Sequence, residues 1–255
     1  MRIDIDKTFL QPHFQQKKIT ICLSYYNQKK ELLLKHINEW KQYPQKNKFS
    51  FFIIDDCSKI PVEKILRDIE LLDLDIHIYR IEEDLYYNIA GVRNLGAKEC
   101  KTEWMMIMDM DTLLPKELSN KLLDLTKGKG IPLKERIKIS KNKKSVVYKF
   151  GVINKNKVSH PAVCLIKTED YWKIGGCEED LVGNYGKTDT IFWYRSIGKI
   201  TLITMKKLIL KNIPEAEGDT SMIDREPNLK LFNEKKKTNK WSTDYIRFKW
   251  KKVVI

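Results

Sequence analysis

The sequence predicts an α/β protein, a mainly parallel sheet flanked by helices, on three observations. Between residues 19 and 125, short apolar runs alternate with longer stretches whose apolar residues recur at helical spacing. Helices of that length between strands imply right-handed crossovers and parallel pairing. Each of three apolar runs ends in a polar cluster: Tyr25-Tyr26-Asn27, Asp55-Asp56 and Asp109-Met110-Asp111. Parallel pairing gathers these clusters on one edge, and in open α/β sheets that edge is where ligands bind.

Residues 1–17 read as a polar lead-in. Ile19 to Ser24 is the first strand, and Asn27 is placed to cap the helix after it. That helix sets Leu33, Ile37 and Trp40 on one face. Phe49 to Ile54 is the second strand, and Val62, Ile65, Leu66 and Ile69 mark a second amphipathic helix. Ile76 to Ile81 is a third strand, and Asn88 to Cys100 reads as a helix despite Gly91 and Gly96. Trp104 to Met108 is apolar on both faces, as a central parallel strand requires. Leu118, Leu122 and Leu125 mark another helix. Lys127 to Lys144, lysine-rich with Gly128, Gly130 and Pro132, reads as a loop or mobile insertion. Val146 to Ile153 and Val158 to Ile166 are strands, Glu169 to Ile174 a short helix, Gly175-Gly176 a turn. A helix starts at Asp189, and Thr201 to Leu210 returns to the sheet. The expected organisation is a domain over 1–213 and a basic, aromatic C-terminal extension over 214–255.

The chain has 255 residues, enough for one large α/β domain or two small ones, and 42% hydrophobic content supports a sizeable core. Its formal charge of +14 favours anionic partners: nucleotides, nucleic acid or an anionic membrane surface. The plainer alternative is a solvated lysine-rich surface. No nucleic-acid-binding motif is visible, so nucleic acid is not an expected partner. Five cysteines, far apart and without a C-x-x-C pair, indicate neither a zinc site nor a disulfide framework, and point to a reducing compartment. The polar first residues carry no signal-peptide core, and no stretch reaches the length of a membrane span. A cytoplasmic protein is expected.

Asp109 and Asp111 carry the sharpest chemistry. Carboxylates at the end of a buried strand are costly unless something positive sits against them. Their hard oxygens suit Mg²⁺ or Mn²⁺, which in turn can hold a diphosphate. The alternative is that they open a turn and cap the helix that begins near Pro115.

Taken together, several segments resemble the GT-A glycosyltransferases, closest to the inverting family 2. These are I-T-I-C-L-S-Y-Y-N at 19–27, I-I-D-D-C-S at 53–58, N-I-A-G-V-R-N-L-G at 88–96 and M-D-M-D at 108–111. G-G-C-E-E-D at 175–180 and Y-G-K-T-D-T-I-F-W at 185–193 follow. The resemblance implies a GT-A, Rossmann-like fold with a nucleotide-sugar half at 19–125 and an acceptor half at 146–213. It implies a base wall around Tyr25, and uracil or ribose contacts from Asp55 and Asp56. Arg93 and Asn94 fall beside the base. Asp109 and Asp111 match the D-x-D pair that holds ribose and metal-diphosphate, with Mn²⁺ or Mg²⁺ as cofactor. Asp189 falls at the second acid of a Glu-Asp pair that supplies the catalytic base. The chain departs from the family in carrying Thr188 where that pair has Glu. It also has no histidine after Asp189, so water, Glu217 or Asp219 is left to complete a metal shell.

The implied reaction is sugar transfer from a nucleotide sugar, most simply a UDP-sugar, to a hydroxyl of a glycan, glycolipid or glycoprotein. One base and no nucleophile imply inversion. The plainer alternative for Asp189, not the one favoured, is a helix cap. Glu178, Glu179, Asp180 and His160 are expected near the acceptor. The alternatives are an inactive GT-A relative that binds sugar or nucleotide, a GT-A nucleotidyltransferase, and a basic nucleic-acid-binding protein. Lysines and aromatics between Lys235 and Lys252 suit peripheral contact with an anionic membrane and a lipid-linked acceptor. The reading favoured for them is that the aromatics pack on the domain while the lysines face water.

Overall fold

The computed structural model describes residues 17–71, 73–152, 159–213 and 224–254. Its sheet is built from the centre outward. Four parallel strands, β1 (Ile19–Tyr25), β2 (Phe49–Asp56), β3 (Ile76–Ile81) and β4 (Trp104–Met108), lie in the order β4-β1-β2-β3. The connections are the helices α1 (Lys30–Lys41), α2 (Val62–Leu66) and α3 (Ile89–Glu99). Leu23 is level with Met108, and Tyr25 with Asp55, so the polar ends of three strands share one edge.

The runs are apolar on both faces because both faces are covered. Ile21, Leu23, Phe51, Ile53, Met106 and Met108 pack toward α1, where Trp40 stacks on Phe51 at 4.6 Å between ring centres. Cys22, Phe52, Ile54, Met105 and Ile107 pack toward α3. The two α3 glycines mark close approaches. A Cβ on Gly96 would sit 3.2 Å from Cys22 Sγ, and one on Gly91 would clash with Phe248 and the Asn88 side chain.

After β4 the chain turns antiparallel. β5 (Thr112–Leu113) and α4 (Lys116–Thr126) lead to α5 (Leu133–Asn142), β6 (Ser145–Val152) and β7 (Ser159–Lys167). Strand β7 pairs antiparallel with β4 and with β6, and β6 pairs in parallel with β8 (Ile200–Asn212). Between β7 and β8 lie α6 (Thr168–Ile174) and α7 (Thr188–Ser196). The last described elements are α8 (Glu226–Thr238) and β9 (Trp250–Val253), which pairs antiparallel with β3 at the sheet edge.

Several expectations are corrected. Asn27 does not cap α1: its backbone is left-handed, and it ties two loops together by accepting from Lys59 N and donating to Ser58 Oγ. Residues 133–142 are helical, not loop. Leu133 and Ile137 of that helix are exposed, so no apolar stripe advertised it. The C-terminal residues contribute a strand and a helix that the polar composition did not announce. Their aromatics pack inward, with Phe248 buried and Trp250 against the α3 core. Asp109 and Asp111 do not cap α4, whose N-terminal residue Pro115 carries no side-chain cap. Glu217 and Asp219 lie outside the described residues. Among the described residues, no helix is long and apolar enough to cross a membrane.

Candidate active site

A cleft of about 660 Å³ opens at the shared edge of β1, β2 and β4. Its floor is Asp109, Asp111, Arg93, Asp189 and His160; its other end is Asp56, Asn88, Tyr26 and Tyr86.

Arg93 organises the floor. It sits in the second turn of α3, and its side chain is only 5% exposed. One guanidinium nitrogen donates to Asp189 Oδ1 at 2.7 Å; another donates to both oxygens of Asp109, at 3.2 and 3.1 Å. It is the positive partner that carboxylates at a buried strand end need, and it joins the two halves of the chain. Burial raises the pKa of Asp109 against the pull of Arg93.

His160 stands beside Asp111, with Nε2 3.4 Å from Oδ2. The pairing of Ile107 with Cys164 explains the approach, because antiparallel continuation brings Asp111 and His160 together. Burial works against the charge of each, but the contact between them prevails: Asp111 is held below the ordinary carboxylate range and His160 above the ordinary imidazole value. Ligand atoms of Asp109, Asp111 and His160 all lie within 4.8 Å of one another. His160, expected at the acceptor, therefore belongs with the acid pair. Only the β4–β7 register could have announced this, and local sequence does not carry it.

A second histidine was missed. His36 of α1 is wholly buried, and its Nε2 donates to the carbonyl of Met110, between the two acids, at 3.1 Å. Burial holds it neutral, with its pKa lowered to about 4.

At the far end, Asp56 accepts from Asn88 at 3.4 Å, and burial pushes its carboxyl up to about 7. Perturbed carboxyls in a cleft mark candidate binding groups. Tyr26 and Tyr86 present exposed rings here, and Tyr86 does so with a left-handed backbone, φ 62°. Such a conformation is a genuine outlier for a bulky side chain.

Other predicted residues have different work. Tyr25 lines the cleft but is buried, and its hydroxyl donates to Gln28 O. The rings free for stacking are Tyr26 and Tyr86. Asp55 does not face the cleft. It is fully buried and accepts from Ser58 N, Val62 N and Arg80, which shapes the loop after β2. Asn94 is a clamp: its side chain bonds Cys177 N and O, Tyr171 and Glu179. Glu178 and Glu179 are buried away from the cleft, because they bind the C-terminal segment. Glu178 accepts from Ser242 N, and Glu179 from Ile246 N and Arg247 N. Asp180 pairs with Lys235 and Arg247, each at 2.7 Å. Of the cluster expected at the acceptor, these three acids serve the tail.

A parallel sheet extended by antiparallel strands, with an acid pair closing the central strand over a cleft, is the arrangement expected of the GT-A fold. The family model "Glycosyl transferase family 2" matches residues 20–147, and the chain belongs to that family. Among solved structures, S. aureus TarS 1–349 in complex with UDP-GlcNAc superposes with a TM-score of 0.59 at 14% identity, over 80% of this chain and 61% of that one. The mannosyltransferase PcManGT from Pyrobaculum calidifontis, with GDP-Man and Mn²⁺, gives 0.57 at 15% identity, over 78% and 57%. These likenesses show the fold, and the chain spans less than two thirds of either neighbour's length. No curated protein sequence matches the chain.

Proposed function

We propose that the chain is a metal-dependent, inverting glycosyltransferase that moves a sugar from a nucleotide sugar, UDP-linked, to a hydroxyl of a glycan, glycolipid or glycoprotein. The observation that carries this reading is the grouping of Asp109, Asp111 and His160 beside the Arg93–Asp189 pair. Two carboxylates and an imidazole fit Mn²⁺ or Mg²⁺ as a donor set. Asp109, Asp111 and His160 would hold the ion, which when bound neutralises the diphosphate leaving group. The neighbours' complexes, one with UDP-GlcNAc and one with GDP-Man and Mn²⁺, support a nucleotide-sugar donor.

The chain's own residues supply the rest. Asp56 and Asn88 present hydrogen-bonding groups to a base edge, and Tyr26 or Tyr86 offers a ring to stack on it. Arg93 fixes Asp109 and Asp189 relative to each other. Arg93 occupies Oδ1 of Asp189, so that residue takes the acceptor's proton through Oδ2. A carboxylate within hydrogen-bond reach is a sufficient general base.

The test is a panel of UDP-, GDP- and other nucleotide sugars with Mn²⁺, scored by thermal shift and nucleotide release. A UDP-sugar should stabilise the protein only with the metal, and Asp111→Ala should remove that dependence. Equal UDP affinity with and without Mn²⁺ in both proteins sinks the metal assignment. Stabilisation by GDP-sugars alone sinks the UDP assignment.

A further inference from the structure

A ladder of cations and rings runs beside the cleft, and sugar transfer as proposed does not use it. It starts at Tyr185, which lines the cleft, with the Arg225 guanidinium 4.8 Å over its ring. Next come Lys187 over Phe232 at 5.9 Å and Lys236 over Tyr194 at 5.6 Å. It ends with Arg195 over Trp241 at 5.5 Å. The rungs join α8 to α7 and the loop before it. Asp189 opens α7, and Arg195 stands near its far end.

The far end of the ladder is itself a cleft, of about 430 Å³, lined by Tyr194, Arg195, Ile197, Lys199, Asn239 and Trp241. No acid is among these lining residues. Arg195 has a distant carboxylate, Glu178 at 3.8 Å, and Lys199 donates to the Ile174 carbonyl. Burial and the neighbouring charge of Arg195 both lower the pKa of Lys199. Two cations thus crowd one cleft, and a bound anion would relieve them. Residues 185–200 and 224–241 together hold nine cations against four acids; Lys235 is tied to Asp180 outside them, and the other eight keep the strip positive.

We infer that this strip is an acceptor track for an anionic glycan, a sugar chain bearing phosphate or carboxylate groups along its length. The inference rests on the reading of the chain as a glycosyltransferase. The spacing of charges and rings is its physical basis. Ring faces are electron-rich and accept both cations and the C–H faces of sugars. Interleaved lysines and arginines pair with repeated anions. A strip from a second cleft to the mouth of the first suits a polymer better than a small ligand, since distant units can bind while one unit reaches Asp189. Nucleic acid shares the anions but brings bases instead of sugar faces, and a membrane is flat where this strip ends in a cleft.

The experiment measures binding of oligogalacturonate and of phosphomannan fragments by Trp fluorescence and calorimetry at two salt concentrations. Controls are a neutral maltooligosaccharide, a single-stranded oligonucleotide of matched charge, and phosphatidylglycerol vesicles. At least one anionic glycan should bind, more weakly as salt rises, and more tightly than any control. Lys199→Glu, Trp241→Ala and the exposed Lys236→Glu should each weaken it about fivefold or more while Mn²⁺-dependent UDP binding stays unchanged. The inference is overturned if neither anionic glycan binds, if the variants bind as the parent does, or if the oligonucleotide or vesicles bind more tightly. Failure of UDP to bind the parent protein would instead count against the donor assignment, whatever the glycans do.

Discussion

Arg93 is the pin of the cleft floor, because one guanidinium serves two carboxylates from distant parts of the chain. A lysine offers a point charge without that fork, so Arg93→Lys should satisfy Asp109 or Asp189 but not both. Asp189→Asn asks a narrower question. It should leave donor binding near normal while transfer falls roughly 100-fold or more, the scale of general base catalysis; full activity would remove Asp189 from that role. His36 acts from behind through the Met110 carbonyl. His36→Leu removes the donor and should weaken Mn²⁺-dependent UDP binding by roughly five- to tenfold, the worth of one hydrogen bond. His36→Gln keeps a donor and should recover most of it, which titration calorimetry can check. Asp56 gives a pH signature. Its folded pKa, about 7, is raised above the unfolded value. The stability it contributes is therefore fully present below about pH 4 and lost as pH rises through about 7. Asp56→Asn should flatten that fall in thermal unfolding midpoints measured across this range, and an unchanged profile would show the burial to be relieved in solution.

The elements show what kind of information the sequence holds. Strands β1 to β4 and their helices were legible because each writes its own pattern: a short apolar run, a helical stripe, a polar end. Helix α5 was not, since Leu133 and Ile137 lie on the surface, Ile139 alone packs on the core, and its lysines mimic a loop. The placement of His160 was not legible either. It depends on pairing between β4 and β7, more than fifty residues apart, and no local pattern encodes such a distance. The same limit misassigned Glu178 and Glu179, whose acidity suggested a ligand while their partners lay in the backbone of residues 242–247. Helix α3 offers a direct test of packing. A methyl on Gly91 would lie 2.4 Å from a Phe248 ring carbon. Gly91→Ala should destabilise by about 1–3 kcal/mol, the usual cost of overpacking. Adding Phe248→Leu should recover part of that loss in a denaturant titration.

At the scale of the whole molecule, the positive charge was read correctly in sign but not in position. Composition says only that cations outnumber acids, whereas the fold lines many of them along α7 and α8. Likewise the tail's aromatics and lysines, which composition leaves open to a membrane, divide by packing: Phe248 inward, Lys249 and Lys251 outward. Removing residues 241–254 would strip the buried acids Glu178 and Glu179 of their backbone donors. Glu178 would keep Lys235 and Glu179 would keep Asn94, so the loss is that of several charge-assisted hydrogen bonds, about 1.5–3 kcal/mol each. Such a truncation should unfold at markedly lower temperature by calorimetry, and an unchanged midpoint would show the tail to be dispensable.

The pairing of β9 with β3 also has a meaning during folding. Until residues 250–253 dock, β3 is an open edge beside the parallel core. An unpaired strand is a template for another chain. A chain whose β9 has not yet docked is therefore exposed to intermolecular pairing at β3, and β9 works as a stopper. Released chains truncated before Trp250 should accumulate in the insoluble fraction, while chains that include residues 250–253 should not.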